Sequence, residues 1–158
     1  MGNSIKIWIK MITLFTIGFT KKSAEKFFSL LNQAGVRKIV DIRLNNSSQL
    51  AGFAKGDDLR YFAKKICGAE YLHILDFAPT KELLKSYQDK ETTWDEYVSV
   101  YRDLLEKRGV KSRYSIDAFD QACFLCTEDL PTNCHRRLLV EYFEEVFPDK
   151  DIKIIHLH

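Results

Sequence analysis

Five short segments rich in β-branched and aromatic residues alternate along the chain with segments whose apolar residues recur at helical spacing. The β-rich segments are 13–17, 36–42, 71–75, 122–126 and 152–157. Strands that are separated by helices form a parallel sheet covered on both faces. The sequence therefore predicts an α/β fold, a single three-layer domain with a mainly parallel sheet of about five strands and helices on both faces.

Capping signals place the first two helices between these strands. Ser23 is the candidate N-cap of the first helix, and Gly35 follows its last turn. Asp57 or Asp58 is the candidate N-cap of the second helix, which we expect to end at Gly68.

Similar signals place the later helices. Pro79 is expected to start a third helical stretch, and Thr93 and Glu96 have the spacing of a capping box at the start of a fourth. Residues 110–119 are predicted to be loop. A last helix is expected from about 133 to 147, where Pro148 follows it.

Composition limits the class of protein. The 158 residues are 46% apolar and 29% charged, typical of a globular domain, and we divide them into an N-terminal extension, 1–10, and a single α/β domain, 11–158. The net charge of +2 argues against nucleic-acid binding by bulk electrostatics.

No apolar run reaches the roughly 18 residues that a membrane span needs, so we expect no membrane partner. Lys10 interrupts the apolar N-terminal stretch and no small-residue cleavage site follows it, so we predict a cytoplasmic protein. The sequence identifies neither a cofactor nor an oligomeric state.

Ligands of open parallel sheets bind beyond the carboxyl ends of the strands. In this chain that rule selects residues 18–23, 41–46 and 127–136. Asp41 and Arg43 lie two positions apart at the end of the second strand, so their side chains share a face. They form either a salt bridge or a functional pair, in which a catalytic or positioning carboxylate lies beside an anion-binding arginine.

The segment 126–137 runs from a central strand through a polar loop into a helix. Thr132 or Asn133 is the expected N-cap, and the first amides of that helix form a ready anion site beside Arg136. Arg137 falls on the polar side of the helix.

His135 falls near the middle of the buried face of the same helix, so its ring should point at the sheet. Its role is either structural or that of a proton carrier, because Glu128 and Asp41 lie nearby in the predicted fold. Cys134, at the helix start beside Arg136, is either a reactive thiol of lowered pKa or a small packing residue.

The cysteines allow two metal or redox arrangements. Cys123 and Cys126 form a C-x-x-C on a strand, where positions i and i+3 face opposite sides, so a redox pair or zinc knuckle is disfavoured. A second set of candidate metal ligands is Cys126, Cys134 and His135, with Glu128 or His156.

Together these residues resemble the domain of unknown function 488 family over roughly residues 12–157. The resemblance is carried by Thr16-Ile17-Gly18, Asp41-Ile42-Arg43, Tyr71-x-His73, Leu125-Cys126-x-Glu128, Pro131-x-x-Cys134-His135-Arg136 and Trp94-x-x-Tyr97. It implies an α/β sheet with the motif residues gathered at one edge, and it implies no particular reaction. Phe19 stands where many relatives have His.

The leading interpretation is a small enzyme that acts on a phosphate-bearing or other anionic substrate, such as a nucleotide or nucleic-acid end, by hydrolysis or group transfer. The candidate catalytic residues are Glu128, His135, Asp41 and Cys134, the candidate anion-binding residues are Arg43 and Arg136, and no metal ligand is assigned. One alternative is a non-catalytic regulatory module that binds an anion or nucleic acid, with a basic arm of Lys6, Lys10, Lys21 and Lys22 beside Trp8 and Phe19. A second alternative is a metal-binding protein that uses Cys126, Cys134 and His135.

Overall fold

A computed structural model describes residues 9–47 and 51–158. Within them, five parallel strands form one sheet: β1 (Met11–Gly18), β2 (Lys38–Asp41), β3 (Glu70–His73), β4 (Ala122–Cys126) and β5 (Asp151–Leu157). Their order across the sheet is β3-β2-β4-β1-β5. The predicted α/β class and parallel sheet are confirmed.

The same described residues contain six α-helices: α1 (Ala24–Ala34), α2 (Gly56–Phe62), α3 (Lys81–Gln88), α4 (Trp94–Lys107), α5 (Val110–Arg113) and α6 (His135–Val146). A π-helical stretch, Ala63–Cys67, extends α2. Short 3₁₀ helices are found at Gly52–Ala54, Leu75–Phe77 and Ile116–Phe119.

The sheet has a hydrophobic core on each face. Helices α1 and α2 cover one face, with Phe27, Leu31 and Leu59 fully buried. Helices α3 to α6 cover the other face, where the larger core contains aromatic residues such as Tyr101 and Phe143. All five residues of β4 are buried, as predicted for a central strand, and its Cys123 and Cys126 lie in opposite cores.

Two of the capping predictions are confirmed. The Ser23 side chain accepts a hydrogen bond from the Lys26 amide, and Gly35 closes α1 in the left-handed region at φ 71°. Thr93 and Glu96 form the predicted capping box, which fixes the start of α4.

Two helix starts were predicted wrongly. Helix α2 begins at Gly56 with Lys55 in the N-cap position, because the Gly56 amide donates to the Asn46 carbonyl at 2.8 Å. Asp57 and Asp58 therefore lie in its first turn, where their negative charge still suits the helix dipole.

Helix α6 has Cys134, and neither Thr132 nor Asn133, in its N-cap position. The Cys134 amide donates to the Pro131 carbonyl at 3.3 Å, so a turn precedes the helix and leaves the two predicted caps exposed.

The predicted loop over 110–119 is also wrong, because this segment forms α5 and a 3₁₀ helix. Val110, Ile116 and Phe119 are buried in the larger core, and their burial draws the segment onto the sheet.

The strand order creates a crevice between β1 and β4. Neighbouring positions Gly18 and Cys126 end these two strands, and the chain then leaves them on opposite faces, through α1 and α6 respectively. Ligands of such sheets bind at this kind of switch point. All three segments selected from the sequence, 18–23, 41–46 and 127–136, follow the adjacent strands β1, β2 and β4.

Within the part of the chain that the structure describes, no helix has both the length and the apolar character that crossing a bilayer requires.

Candidate active site

A cavity of about 290 Å³ lies beyond the carboxyl ends of β2 and β4, on the side of the sheet covered by α3 to α6. We call it the rim cavity. One side is lined by Tyr87, Trp94 and Tyr97, and the other by Arg43, Cys126, Glu128, Asn133, Cys134 and His135. Its volume is close to the roughly 300 Å³ at which small-molecule sites begin, and it combines apolar walls with a few convergent polar groups, as such sites do.

The three rings form a continuous aromatic wall. Trp94 stacks on Tyr97 at a centroid distance of 5.3 Å and an interplanar angle of 12°, and Tyr87 lies 5.1 Å from Tyr97. Burial raises the pKa of Tyr97 above its usual range, so its phenol keeps its proton at neutral pH. Helix α4, started by its capping box, supplies Trp94 and Tyr97 at i and i+3, which places them on one face.

The opposite wall depends on Arg136, which is completely buried. Its Nη1 donates to the Cys126 Sγ at 3.0 Å and to the Glu128 carbonyl, and its Nη2 donates to the Asp129 carbonyl at 2.9 Å. Burial lowers the pKa of Arg136 to about 10, which still leaves it charged at neutral pH. The guanidinium therefore braces the loop that presents Glu128.

The connection after β1 holds the same loop from the other side. Thr20 donates to the Thr127 carbonyl from its amide at 3.2 Å and from its hydroxyl at 2.9 Å. Lys22 forms a 2.6 Å ion pair with Asp129, and this hydrogen bond lowers the pKa of the Asp129 carboxyl. Residues 126–129 are thus fixed by contacts from the connection between β1 and α1 and from Arg136 of α6.

Asp41 and Arg43 form the buried pair that the two-residue spacing predicts. Arg43 donates to the Asp41 carboxylate from Nε at 2.8 Å and from Nη2 at 2.7 Å, while the Tyr71 hydroxyl donates to it at 2.6 Å. Burial, followed by the Asp41 charge, raises the pKa of Tyr71, so the phenol remains a donor. Arg43 Nη2 also donates to the Ala54 carbonyl, whereas its Nη1 has no hydrogen-bond partner among the described residues.

The ring of His135 points at the sheet, as its helical position predicts. Its Nε2–H donates to the carbonyl oxygen of Ile42 at 2.9 Å, and Tyr101 packs against the ring edge-on at 5.7 Å. Burial lowers the pKa of His135 to about 4, despite the opposing effect of this hydrogen bond. At neutral pH the ring is therefore neutral, with its proton on Nε2 and a free electron pair on Nδ1.

That free Nδ1 lies 4.0 Å from the Cys134 Sγ. The sulfurs of Cys126 and Cys134 lie within bonding distance of each other, as in a disulfide, and the Cα atoms of the two residues are 7.6 Å apart. The sequence does not show whether these two residues approach each other. The structure brings both sulfur atoms and the imidazole together at the floor of the rim cavity.

The structure separates the predicted site residues into two groups. Glu128, Cys134, His135 and Arg43 line the rim cavity. Asp41 and Arg136 are fully buried behind it, where they hold Arg43 and the 126–129 loop in place. Their proposed catalytic and anion-binding roles remain predictions, and the contacts of both residues are those of positioning groups.

The proposed basic arm falls partly outside the described residues, because Lys6 and Trp8 belong to 1–8. Phe19 is buried, Lys22 is bonded to Asp129, and Lys10 lies 3.3 Å from Asp120.

Sequence reasoning missed the ligand-facing role of the aromatic wall. Helical spacing alone predicts a buried stripe that includes Trp94 and Tyr97, and it places Tyr87 in the helix before it. The useful signal was the concentration of three large rings in eleven residues, which exceeds what a helix–helix contact requires. Tyr71, which holds Asp41, was visible only as part of a family motif.

The family model for the domain of unknown function DUF488 matches residues 23–143, which include every site residue named above except the β1 connection. The chain belongs to this family. Comparison with curated proteins finds no match, and neither does comparison with solved structures. The resemblance drawn from the sequence motifs is confirmed, and the name DUF488 carries no reaction, so the chemistry rests on the geometry of the site.

In this DUF488 chain, the residue after the β1 glycine is Phe19. The Phe19 ring is buried against Arg43, whose guanidinium carbon lies 5.2 Å from the ring centroid. The position therefore contributes an apolar contact that helps to orient Arg43.

We predict that Gly18→Ala disrupts the site by displacing the bracing loop. A Cβ at Gly18 would lie 1.5 Å from the backbone oxygen of Glu128, and a backbone atom held on both sides cannot move away cheaply. Urea denaturation should show a loss of about 3 kcal/mol or more in the free energy of unfolding.

The matched control is Gly52→Ala, because a Cβ at Gly52 meets nothing within 4 Å. Its free energy of unfolding should stay within about 0.5 kcal/mol of the wild-type value. Equal stability of the two variants would contradict the described packing of the loop.

Proposed function

We propose that this DUF488 protein is a small enzyme that acts on a phosphate-bearing substrate with a planar ring, such as a nucleotide or a nucleic-acid end, by hydrolysis or group transfer in the rim cavity. The observation that carries the proposal is the arrangement of the cavity itself. An aromatic wall faces a second wall that carries Glu128, Cys134 and His135. Proton-transfer groups opposite a ring-binding surface are what such chemistry requires.

The aromatic wall supports binding of a base or similar ring. Trp94 is half-buried and its ring plane is fixed by stacking on Tyr97, so little conformational freedom is lost when a ligand binds. Stacking of one base on an aromatic side chain contributes about 1–3 kcal/mol.

Arg43 is the better placed of the two predicted anion-binding residues. It lines the rim cavity, and its Nη1 has no partner among the described residues. Arg136 also has an unpaired nitrogen, its Nε, but it is fully buried, it does not line the cavity, and both of its terminal nitrogens already donate to atoms of the protein. We therefore assign the phosphate contact to Arg43 and the support of the cavity wall to Arg136, while Asp41 keeps the Arg43 fork in position.

Glu128 is the candidate general base. Its side chain is exposed and lines the cavity, while its backbone carbonyl accepts a hydrogen bond from Arg136, so the carboxylate is accessible on a loop that is held in place. Such a group can take the proton of an attacking water or hydroxyl, which both hydrolysis and group transfer require. His135 Nδ1 can accept a second proton. If the reaction passes through a covalent intermediate, Cys134 is the candidate nucleophile, and Cys134→Ser should then be inactive.

Binding of a nucleotide is expected to depend on Trp94. Nucleoside monophosphates should raise the melting temperature of the protein and quench its tryptophan fluorescence. The matching nucleosides should bind at least about 10-fold more weakly, because they lack the phosphate that Arg43 would hold. Trp94→Leu should weaken nucleotide binding about 10-fold in a thermal-shift titration, through loss of stacking.

The control variant is Tyr61→Leu, which removes an aromatic ring that is 59% exposed and does not line the rim cavity. It should bind nucleotides with wild-type affinity. Equal affinity of the Trp94 variant and wild type would exclude the aromatic wall as the binding surface.

Glu128→Gln distinguishes an enzyme from a binding module. We expect it to retain ligand affinity within about threefold, because shape is kept, while turnover of the ligand found by thermal shift falls by roughly 10²–10⁴-fold through loss of the base. Calorimetry gives the affinity, and a product assay gives the turnover.

Glu70→Gln is the control, since Glu70 is an exposed carboxylate at the amino end of β3, the opposite edge of the sheet. It should leave affinity and turnover unchanged. Binding without turnover in the wild-type protein would favour the non-catalytic module instead.

A further inference from the structure

We propose that Cys126, Cys134 and His135 bind one zinc ion through three protein ligands, with the fourth coordination position open to the rim cavity. The proposal deepens the proposed function and rests on it for what the metal acts on, whereas the ligand set stands on its own geometry. The ion would lie at the floor of the cavity, between the end of β4 and the start of α6.

The three ligand atoms are already gathered. The two sulfurs and a ring nitrogen of His135 all lie within 4.8 Å of one another, and the Cys134 Sγ is 4.0 Å from His135 Nδ1. Ligand atoms around a tetrahedral zinc lie about 3.5–4 Å apart, given Zn–S and Zn–N bonds of about 2.3 and 2.0 Å. The Cys134 Sγ and His135 Nδ1 already have this spacing, whereas the two sulfurs are in bonding contact and would separate to bind the ion. Two thiolates and an imidazole favour zinc over the hard cations, which prefer oxygen ligands.

His135 has the orientation of a metal ligand. Its Nε2–H donates to the Ile42 carbonyl, which leaves Nδ1 unprotonated and on the side of the thiols. Ligating histidines are held in this way by a carbonyl or carboxylate on the other ring nitrogen. A histidine with only a packing role would not need its second nitrogen free beside two cysteines.

Cys126 also has an outer-shell partner. The buried Arg136 donates to its sulfur at 3.0 Å, which is the contact that an outer-shell donor makes to a metal-bound sulfur. Two thiolates neutralise the charge of a divalent ion, so the ion adds no net charge to this buried end of β4.

A disulfide fits the backbone less well than a metal does. The Cα atoms of Cys126 and Cys134 are 7.6 Å apart, beyond the roughly 4.4–6.8 Å usual for a disulfide. An ion between the two sulfurs suits this wider Cα separation, with the sulfurs moved apart from their contact.

Three protein ligands and an open position are the pattern of catalytic zinc rather than structural zinc. A water in the open position would lose a proton readily, and Glu128, on the same cavity wall, would accept it. The O–H bond breaks, the proton goes to the carboxylate and the hydroxide remains as nucleophile, so the inference favours hydrolysis.

The test is the zinc content of the full chain, purified without an affinity tag and under reducing conditions, by plasma emission spectrometry. We expect about one equivalent in the wild type and less than about a tenth in Cys134→Ser and His135→Gln. Cys67→Ser is the control, because Cys67 is a half-buried thiol at the end of the π-helical stretch, and it should retain the metal.

Since ligand variants can fail to fold, cobalt(II) titration of the chelator-treated wild-type protein gives a second readout. Visible bands of tetrahedral cobalt with thiolate charge-transfer absorption, saturating near one equivalent, support the site. Less than a tenth of an equivalent of zinc together with no cobalt bands would overturn it, as would a Cys126–Cys134 disulfide that persists in reducing buffer. Nucleotide binding is measured separately, so loss of the metal site alone would leave the proposed function standing.

Discussion

The buried guanidinium of Arg136 holds together the end of β4, the loop after it and the start of α6. It donates to the Cys126 sulfur and to two consecutive backbone carbonyls, those of Glu128 and Asp129. Hydrogen bonds from a charged donor contribute about 1.5–3 kcal/mol each, and a buried carbonyl without a partner costs a similar amount. The loop therefore has one favourable conformation, and that conformation brings Glu128, Cys134 and His135 to one cavity.

Strand order explains why this brace lies where a ligand can bind. Strands β1 and β4 are neighbours whose following helices pack on opposite faces, which opens a crevice at their carboxyl ends. Gly18 lies in that crevice and leaves no room for a side chain, because the Glu128 backbone occupies the space. Asp41 and Arg43, at and just after the end of β2, add a third fixed group. The adjacent strands β1, β4 and β2 therefore each contribute one fixed part of the site.

Much of this arrangement could be predicted from local pattern. Alternating strand and helix segments indicated the parallel sheet, and helical spacing correctly predicted that the His135 ring points towards it. The burial of Arg136 is not predictable in this way. A helical wheel places it only at the edge of the buried face, and its partners belong to the strand end and loop before the helix, whose path the spacing does not give. The aromatic wall depends on how α3 and α4 pack together, and the approach of Cys126 to Cys134 depends on the path of the loop between β4 and α6. Spacing along one sequence encodes neither.

Hydrogen–deuterium exchange of Arg136→Lys tests the bracing role most directly. Lysine keeps the charge but lacks the planar fork that reaches a sulfur and two carbonyls at once. We predict that amides of residues 127–134 exchange at least about tenfold faster than in the wild type, while those of β4 remain protected, which shows that the sheet is intact. Unchanged exchange across 127–134 would contradict the account, because the loop would then be held without the guanidinium.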